Sequence, residues 1–415
     1  MIKKLLLVIA IATSSLSFGQ NIATNWNHSL ILCGDSVRSF GNNSKGQLGQ
    51  GYPNINLSLP KTIHGLSDVI AVSAGVEYSL FLKSNGTVWA SGHNFYGQLG
   101  LGNTSNVVAP VQIPNLNNVI AISAGGFHSL FLKSDSTVWA CGNNEFGELG
   151  LGHNSNVLIP TKITTGLPEQ ITAISAGTFH SLFLGKSTRV YACGANEYGL
   201  LGDGTTINHN SPVLTKAAFV KAISAGYTHS LFLTVFGTVW GCGSNGSGQL
   251  GLGDNETALN PTPIPNFTGI TKICAGSNFS LFLKSDGSVW GCPTEIHKNL
   301  IGENNGDNVP KQLQGLNNIN TIATSCSSFQ AFAQKNDGTI IGWGHNATGQ
   351  LGIGEINGNY NSQKQLPDPC AQPIPPQATL TVNGAGSSPS ICQGSDVNIS
   401  CTTIGSNPDF QMVLD

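Results

Sequence analysis

One sequence unit recurs seven times in this chain and limits the folds that it can adopt. Two copies read SAGVEYSLFLKSNGTVWASGHNFYGQLGLG from Ser73 and SAGGFHSLFLKSDSTVWACGNNEFGELGLG from Ser123. The position that follows the repeated Ala-Gly pair by three residues is filled, copy by copy, by His28, Tyr78, His128, His180, His229, Phe279 and Gln330. Subtracting successive numbers gives steps of 50, 50, 52, 49, 50 and 51 residues. A period near fifty residues, with short strand patterns and glycine-rich turns, predicts an all-β propeller or solenoid whose shared residues are mostly structural.

Each copy predicts about four strands, which is one propeller blade. The runs SLFLK and TVWAC are separated by pairs that favour two-residue hairpin turns, namely Asn85-Gly86, Asp286-Gly287 and Asp337-Gly338. The third and fourth copies have Asp135-Ser136 and Ser187-Thr188 instead, so we expect looser or strained turns there. One further strand is expected before the Ala-Gly pair, and another after the proline at Pro110, Pro160, Pro212, Pro261 or Pro310.

Charge and the first twenty residues bear on where the protein acts. Only 9% of residues are charged and the formal net charge is −3, which disfavours nucleic-acid binding because such domains carry basic patches. Lys3 and Lys4 precede the apolar run 5–12, and the small residues Ser17 and Gly19 suit a cleavage site. Residues 1–20 are therefore predicted to be a signal peptide, with an apolar run too short to span a bilayer. We expect the mature chain to be exported without a membrane span.

Ten cysteines in an exported chain raise the question of disulfide bonds. Four of them occupy one equivalent position in successive copies: Cys141, Cys193, Cys242 and Cys292, where the second copy has Ser91. We interpret them as small buried apolar residues, because blade spacing separates equivalent positions and no CxxC or Cys/His spacing accompanies them. The expected disulfide pair is Cys392 with Cys401, and Cys274 with Cys326 is a weaker candidate.

Two repeated features invite a ligand site, and both are better explained by structure. The motif GxNxxGQLG at 92–100, 142–150 and 243–251 lacks the following helix and Lys-Ser/Thr of a phosphate loop, so left-handed turns explain its glycines. The repeated histidines could form a metal ring, but Tyr78, Phe279 and Gln330 interrupt it, and bonds to the backbone of the same blade are the simpler interpretation. We predict neither a metal nor a cofactor. The repeated aromatic residues are interpreted as core: Tyr96, Phe146 and Tyr198, with Trp89, Trp139, Trp240 and Trp290.

The order AGxxHSxxL, a glycine turn and WxxGxNxxGQLG resembles the repeat of the regulator of chromosome condensation family. Residues 73–102, 123–152, 175–204 and 224–253 match it closely, whereas Arg38, Pro293 and Ile341 depart from it. The resemblance covers about residues 21–365 and implies a seven-bladed β-propeller. The family's founder is a nuclear guanine nucleotide exchange factor that binds chromatin. Similar propellers also occur in secreted bacterial proteins, and this resemblance implies a binding role through protein–protein contact.

The end of the chain differs from the repeats. Residues 366–377 are proline-rich and predict a semi-rigid linker. Residues 378–415 alternate like strands and resemble the opening of an immunoglobulin-like module, but they fall short of the roughly 100 residues of a complete sandwich. We therefore expect an incomplete module, in a chain that is either a fragment of a longer surface protein or carries a premature end.

These observations predict an exported, non-catalytic protein-binding or adhesion scaffold, secreted or at a bacterial cell surface, with an unidentified protein or glycan partner. Its contact residues are expected where the copies differ: Phe95, Glu145 and Glu197 inside GxNxxG, and Asn103, His153, Thr205 and Asp254 after it. Two alternatives stay open. One is a secreted carbohydrate-active enzyme with Glu145 and Glu197 as its carboxylate pair, and the other is guanine nucleotide exchange, which the resemblance implies.

Overall fold

The computed structural model describes residues 21–292 and 308–370, which contain 28 β-strands and no helix. The strands form seven four-stranded antiparallel sheets, and each sheet takes its strands from one continuous stretch of chain. The described part of the chain therefore has no helix that is long and apolar enough to cross a membrane. The predicted seven-bladed, all-β propeller is confirmed.

The blades are arranged around an axis lined by their first strands, which contact one another from blade to blade. These innermost strands are β1 (Ile22–Asn25), β5 (Val69–Gly75), β9 (Val119–Ala124), β13 (Ile171–Ala176), β17 (Val220–Ala225), β21 (Ile270–Ala275) and β25 (Ile319–Ala323). The second strands are β2 (His28–Cys33), β6 (Tyr78–Lys83), β10 (His128–Lys133), β14 (His180–Gly185), β18 (His229–Thr234), β22 (Ser280–Lys284) and β26 (Gln330–Lys335).

The outer half of each blade holds the third and fourth strands. The third strands are β3 (Ser36–Gly41), β7 (Val88–Gly92), β11 (Val138–Gly142), β15 (Val190–Gly194), β19 (Val239–Gly243), β23 (Val289–Gly291) and β27 (Ile340–His345). The outermost strands are β4 (Leu57–Thr62), β8 (Val107–Gln112), β12 (Val157–Lys162), β16 (His209–Leu214), β20 (Ala258–Pro263), β24 (Lys311–Gln312) and β28 (Asn359–Gln365). The repeated prolines were expected before this strand, but Pro110, Pro160, Pro212 and Pro261 lie inside it. An edge strand tolerates them because one side of it pairs with no neighbour.

The hydrophobic core lies between neighbouring blades rather than inside single sheets. In the third blade, Leu130 and Leu132 pack with Phe183 of the fourth blade, whereas Phe131 packs with Leu80 of the second. Alternate residues of one strand point to opposite faces, so each second strand serves two interfaces. Cys141, Cys193, Cys242 and Cys292 are fully buried members of these clusters, as predicted.

The ring closes where the seventh blade meets the first. The Ser325 hydroxyl donates to the Thr24 carbonyl oxygen at 2.6 Å, and Gln330 Nε2 donates to Thr24 Oγ1 at 2.6 Å. Further out, the Ser29 hydroxyl donates to the carbonyl oxygen of Gln350 at 2.8 Å, and Phe40 meets Phe332 edge to face. The first and last blades thus join through side chains.

The hairpin turns at Asn85-Gly86, Asp286-Gly287 and Asp337-Gly338 are one residue longer than expected. Lys83 N–H donates to the Thr87 carbonyl oxygen and Gly86 N–H to the Lys83 carbonyl oxygen, each at 2.9 Å, which gives a three-residue loop with Gly86 in the left-handed region. Ser136 and Thr188 adopt the same conformation, with φ of 64° and 66°. The third and fourth turns are therefore strained rather than looser, because a residue with a Cβ occupies a glycine position.

Candidate binding surface

The strand order places two kinds of loop at one end of the propeller. The first joins the innermost strand to the second, as at 76–77 or 177–179, and the second joins the third strand to the outermost, as at 93–106 or 195–208. We call this end the upper face. The opposite end, the lower face, carries the hairpin turns and the links between blades. All seven predicted contact residues lie in upper-face loops.

The repeated histidines link each blade to the next. Nε2 of His28, His128, His180 and His229 lies 2.8–3.0 Å from the hydroxyl oxygen of Ser79, Ser181, Ser230 and Ser280 respectively. Each serine hydroxyl already donates to a main-chain carbonyl at 2.7 Å, so the histidine is the donor and its proton resides on Nε2. The prediction of a bond within the same blade was wrong, because the partner lies about one repeat further along.

Burial keeps these histidines neutral. All four are fully buried, and desolvation lowers the pKa of His28, His128 and His180 to about 3 and that of His229 to about 4. Their Nδ1 atoms have no hydrogen-bond partner, and the rings of His128, His180 and His229 lie against the repeated glycines. A Cβ at Gly125 would come within 2.6 Å of His128 Cε1. Across 21–292 and 308–370, no three His, Cys, Asp or Glu side chains are grouped as ligands of a metal ion.

A buried asparagine shapes the loop between the third and the outermost strand in six blades. In the second blade, Asn94 Nδ2 donates to the Asn103 carbonyl oxygen at 2.9 Å, and its Oδ1 accepts the Leu99 N–H at 2.9 Å. The same pair of bonds ties Asn144 to His153, Asn196 to Thr205 and Asn245 to Asp254. Positive φ at Gly97 and its equivalents completes the turn, as the sequence predicts. The repeated motif therefore holds the variable loops in one geometry.

Aromatic side chains form a continuous row on the upper face, which we call the aromatic arc. Ring centroids are 5.1–6.2 Å apart along Phe95, Tyr96, Phe127, Phe179 and Tyr227, and Phe146 contacts Phe179 at 5.5 Å. The Phe95 side chain is 66% exposed, and the other five are partly exposed. Tyr96 and Phe146 were expected in the core, and Tyr198 is also exposed. They lie at the surface because they occupy loops that end above the sheets.

The tryptophans also differ from the expectation of a core position. Trp89, Trp139, Trp240 and Trp290 are half-buried on the flanks of the blades, against the core cluster of the preceding blade. The ammonium groups of Lys83, Lys133 and Lys284 lie 4.0–4.8 Å above three of these rings. Such contacts shield one ring face from water while leaving the lysine solvated.

The described loops of the upper face are acidic. Seven carboxylate side chains lie there with a single lysine: Glu77, Glu145, Glu197, Asp203, Asp254, Glu256 and Glu355, against Lys45. An eighth carboxylate, Glu148, is fully buried where other repeats have Gln. Its Oε2 accepts the Phe146 N–H at 2.9 Å, its Oε1 has no hydrogen-bond partner, and desolvation raises its pKa to about 7.

The predicted contact residues divide into two groups. Phe95, Glu145 and Glu197 are exposed, and Phe95 is part of the aromatic arc. Asn103, His153, Thr205 and Asp254 share one position and use backbone or side-chain atoms to order their own loops. Their role in binding stays a prediction. The sequence analysis did not predict three arc members that precede the second strands, namely Phe127, Phe179 and Tyr227. The signal that could have found them is an aromatic residue close before the repeated histidine.

The cysteines differ from the expected disulfide pattern. Cys274 and Cys326 are free and buried, so their proposed pairing is wrong. Cys33 is disulfide-bonded, which the sequence did not indicate. The Cys33 sulfur lies 3.6 Å from the Pro369 carbonyl oxygen. Cys392 and Cys401 lie outside the described residues.

Seven continuous four-stranded blades with variable loops at one end define the class of repeat-built β-propellers. Residues 7–216 match the RCC1-like domain, and residues 220–249 and 237–283 match the regulator of chromosome condensation (RCC1) repeat. This chain therefore belongs to the RCC1-like domain family.

Individual relatives are similar over different lengths. The RCC2 homologue of Danio rerio is 43% identical over 84 residues, which is 20% of this chain and 17% of that protein. The chain thus matches less than a fifth of that relative. Prp20p of Saccharomyces cerevisiae superposes with a TM-score of 0.71 at 22% identity, covering 80% of this chain and 86% of that one. Human WBSCR16 gives the same TM-score and identity over 80% and 94%. At these identities the solved structures establish the fold alone.

Proposed function

We propose that this protein is an exported, non-catalytic scaffold that binds a protein partner on its upper face. The exposed aromatic arc carries this proposal. Aromatic rings supply large contact areas with few rotatable bonds, and they are enriched at protein interfaces. The arc lies on loops that differ between repeats, whereas the interior positions are shared.

The charge of the upper face limits the class of partner that it can bind. The described loops of the upper face hold seven carboxylates and one lysine, so a partner with basic and apolar groups would complement this face. Family membership agrees with a docking role, since Prp20p was studied for its binding to Gsp1p and histones. Export rests on the signal-like residues 1–20 and on disulfide-bonded Cys33, because disulfides persist in oxidising compartments.

The test is recovery of binding proteins by the full chain and by two matched variants. Phe95→Ser removes an exposed ring of the arc, and Phe236→Asn removes an exposed ring from the lower face. We expect Phe95→Ser to lose captured proteins that Phe236→Asn retains. Equal capture by both variants, with both folded by circular dichroism, would contradict docking on the upper face.

A further inference from the structure

Three apolar side chains protrude together from the lower face of the fifth blade. Val235 and Phe236 form its hairpin turn, and Phe219 ends the link that leads into the blade. They are 46%, 71% and 60% exposed, and the two phenyl rings lie 5.8 Å apart. We call these three residues the apolar tip. Apolar residues in turns are unusual because such positions contact water on most sides.

The apolar tip departs from the repeat at each position. Where this blade has Val235-Phe236, other blades have Ser84-Asn85, Ser134-Asp135 and Ser285-Asp286. Those Asn and Asp side chains accept the N–H two residues later, as Asn85 Oδ1 does from Thr87 at 3.0 Å. In the fifth blade Thr234 Oγ1 accepts the equivalent Thr238 N–H at 3.3 Å. The turn therefore closes without the phenyl ring.

Phe219 adds backbone strain to this exposure. Its φ is 57°, and the equivalent residues with positive φ are Asp68, Asn118, Gly269 and Asn318, types that tolerate this region. A bulky residue in the left-handed region lowers the stability of the fold unless its side chain makes contacts that offset the strain. The Phe219 ring contacts Phe236 but stays 60% exposed, so its burial within the chain offsets little of this strain.

The surroundings of the apolar tip are basic. Val220 N–H donates to the Thr188 carbonyl oxygen, which places the fourth blade's turn, with exposed Lys186 and Arg189, beside Phe219. Lys221 is exposed two residues further along the chain. One acid, Glu169, lies nearby and accepts hydrogen bonds from the Ser187 hydroxyl and N–H and from the Tyr191 hydroxyl, so three cations face a single carboxylate. The hairpin carboxylates of other blades, such as Asp135 and Asp286, have no counterpart here.

We propose that the apolar tip docks the propeller onto a lipid surface that carries anionic headgroups. Protruding aromatic and aliphatic side chains can enter the boundary between headgroups and acyl chains, and flanking cations are attracted to the negative surface. A convex tip suits a deformable bilayer better than a preformed protein pocket. The upper face would then point away from the membrane, free for a protein partner.

The experiment measures flotation of the full chain with vesicles of pure phosphatidylcholine and with vesicles that also contain phosphatidylglycerol. The test variant combines Phe219→Asn, Val235→Ser and Phe236→Asn, the residues that the second and third repeats use. We expect the wild type to bind the anionic vesicles, and this variant to bind them about tenfold more weakly. Lys186→Gln should weaken binding about fivefold at low salt.

Matched controls make either result decisive. Phe95→Ser removes an equally exposed ring from the upper face and should bind vesicles like the wild type. The triple variant should melt no lower than the wild type, because Asn relieves the strain at position 219. No vesicle binding by the wild type, or equal binding by the triple variant, would overturn the proposal. Equal binding to both kinds of vesicle would also overturn it. Loss of self-association in the triple variant without any vesicle binding would assign the tip to a second copy instead.

Discussion

The two faces of the propeller carry equally exposed phenylalanines in opposite settings. Phe95 on the upper face belongs to an arc of rings bordered by carboxylates, whereas Phe236 on the lower face belongs to a three-residue tip bordered by lysines and an arginine. Both phenylalanines lie in loops of the repeated unit, whose buried positions are nearly the same in every blade. This contrast shows that the shared interior fixes where the loops lie, whereas single substitutions decide which kind of surface each face presents.

The largest expected loss of stability comes from changing the interior, because both faces depend on the same packing between blades. Trp343 is fully buried between the sixth and seventh blades, so Trp343→Ala should lower the free energy of unfolding by about 3–5 kcal/mol. Trp139, half-buried on a blade flank, is the matched control, and Trp139→Ala should lose only about 1–2 kcal/mol. Urea unfolding measures both. Equal losses of unfolding free energy would show that Trp139 on the blade flank stabilises the fold as much as Trp343 between two blades.

Lowering the pH should reduce the free energy of unfolding through groups in the interior rather than through groups on either face. The pKa values of the four linking histidines are lowered to about 3 or 4 in the folded state, so below pH 6.5 the unfolded chain binds more protons. Stability is therefore full above pH 6.5 and falls towards pH 3, by about 1.4 kcal/mol per pH unit for each histidine. His180→Gln copies the residue type of the seventh blade and should make this slope shallower. An unchanged slope in urea unfolding between pH 6 and pH 4 would contradict neutral buried histidines.

Glu148 should give the opposite pH dependence beneath the upper face. Burial raises its pKa from 4.5 to about 7, so the folded state favours the protonated acid. Its contribution is full below pH 4.5 and is lost as the pH rises through 7. Glu148→Gln should therefore be more stable than the wild type at pH 8 by about 1–3 kcal/mol, and nearly equal at pH 5. Thermal melting at both pH values measures this, and a difference independent of pH would contradict it.

The smallest stability effects should lie on the faces themselves. Phe95→Ser and Glu145→Gln change exposed side chains, so each should alter the free energy of unfolding by less than about 0.5 kcal/mol. The same variants should lose the partner that binds the upper face. A large loss of stability in either would show that the arc supports the fold rather than binding.

The sequence predicted the blades better than the contacts between them. The fifty-residue period and the glycine turns were sufficient for seven four-stranded sheets, because strands and hairpins depend on neighbouring residues. The His128–Ser181 bond joins residues 53 positions apart, so no local pattern could reveal it. The sequence did hold one signal for this bond. The residue after the histidine position is serine in every copy except the seventh, which has Ala331, and the preceding copy has Phe279 in place of histidine.

The surfaces were predicted only where the repeats disagree. Phe95 was found because its copy differs from the others, and it does belong to the arc. Phe219 and Phe236 differ from their copies as well, but the hairpin pattern predicted a polar turn and left them unnoticed. The state of Cys33 could not be deduced, because residues far apart in the chain decide which cysteines can pair.

Site-specific photo-cross-linking tests most directly whether the upper face is where a protein partner binds. Benzoylphenylalanine placed at position 95, in the arc, is compared with the same residue at position 135, in a regular lower hairpin, using exported proteins from the producing cells. We expect a discrete protein adduct from position 95 and none from position 135. Adducts from position 135 alone, or equally from both, would contradict binding on the upper face.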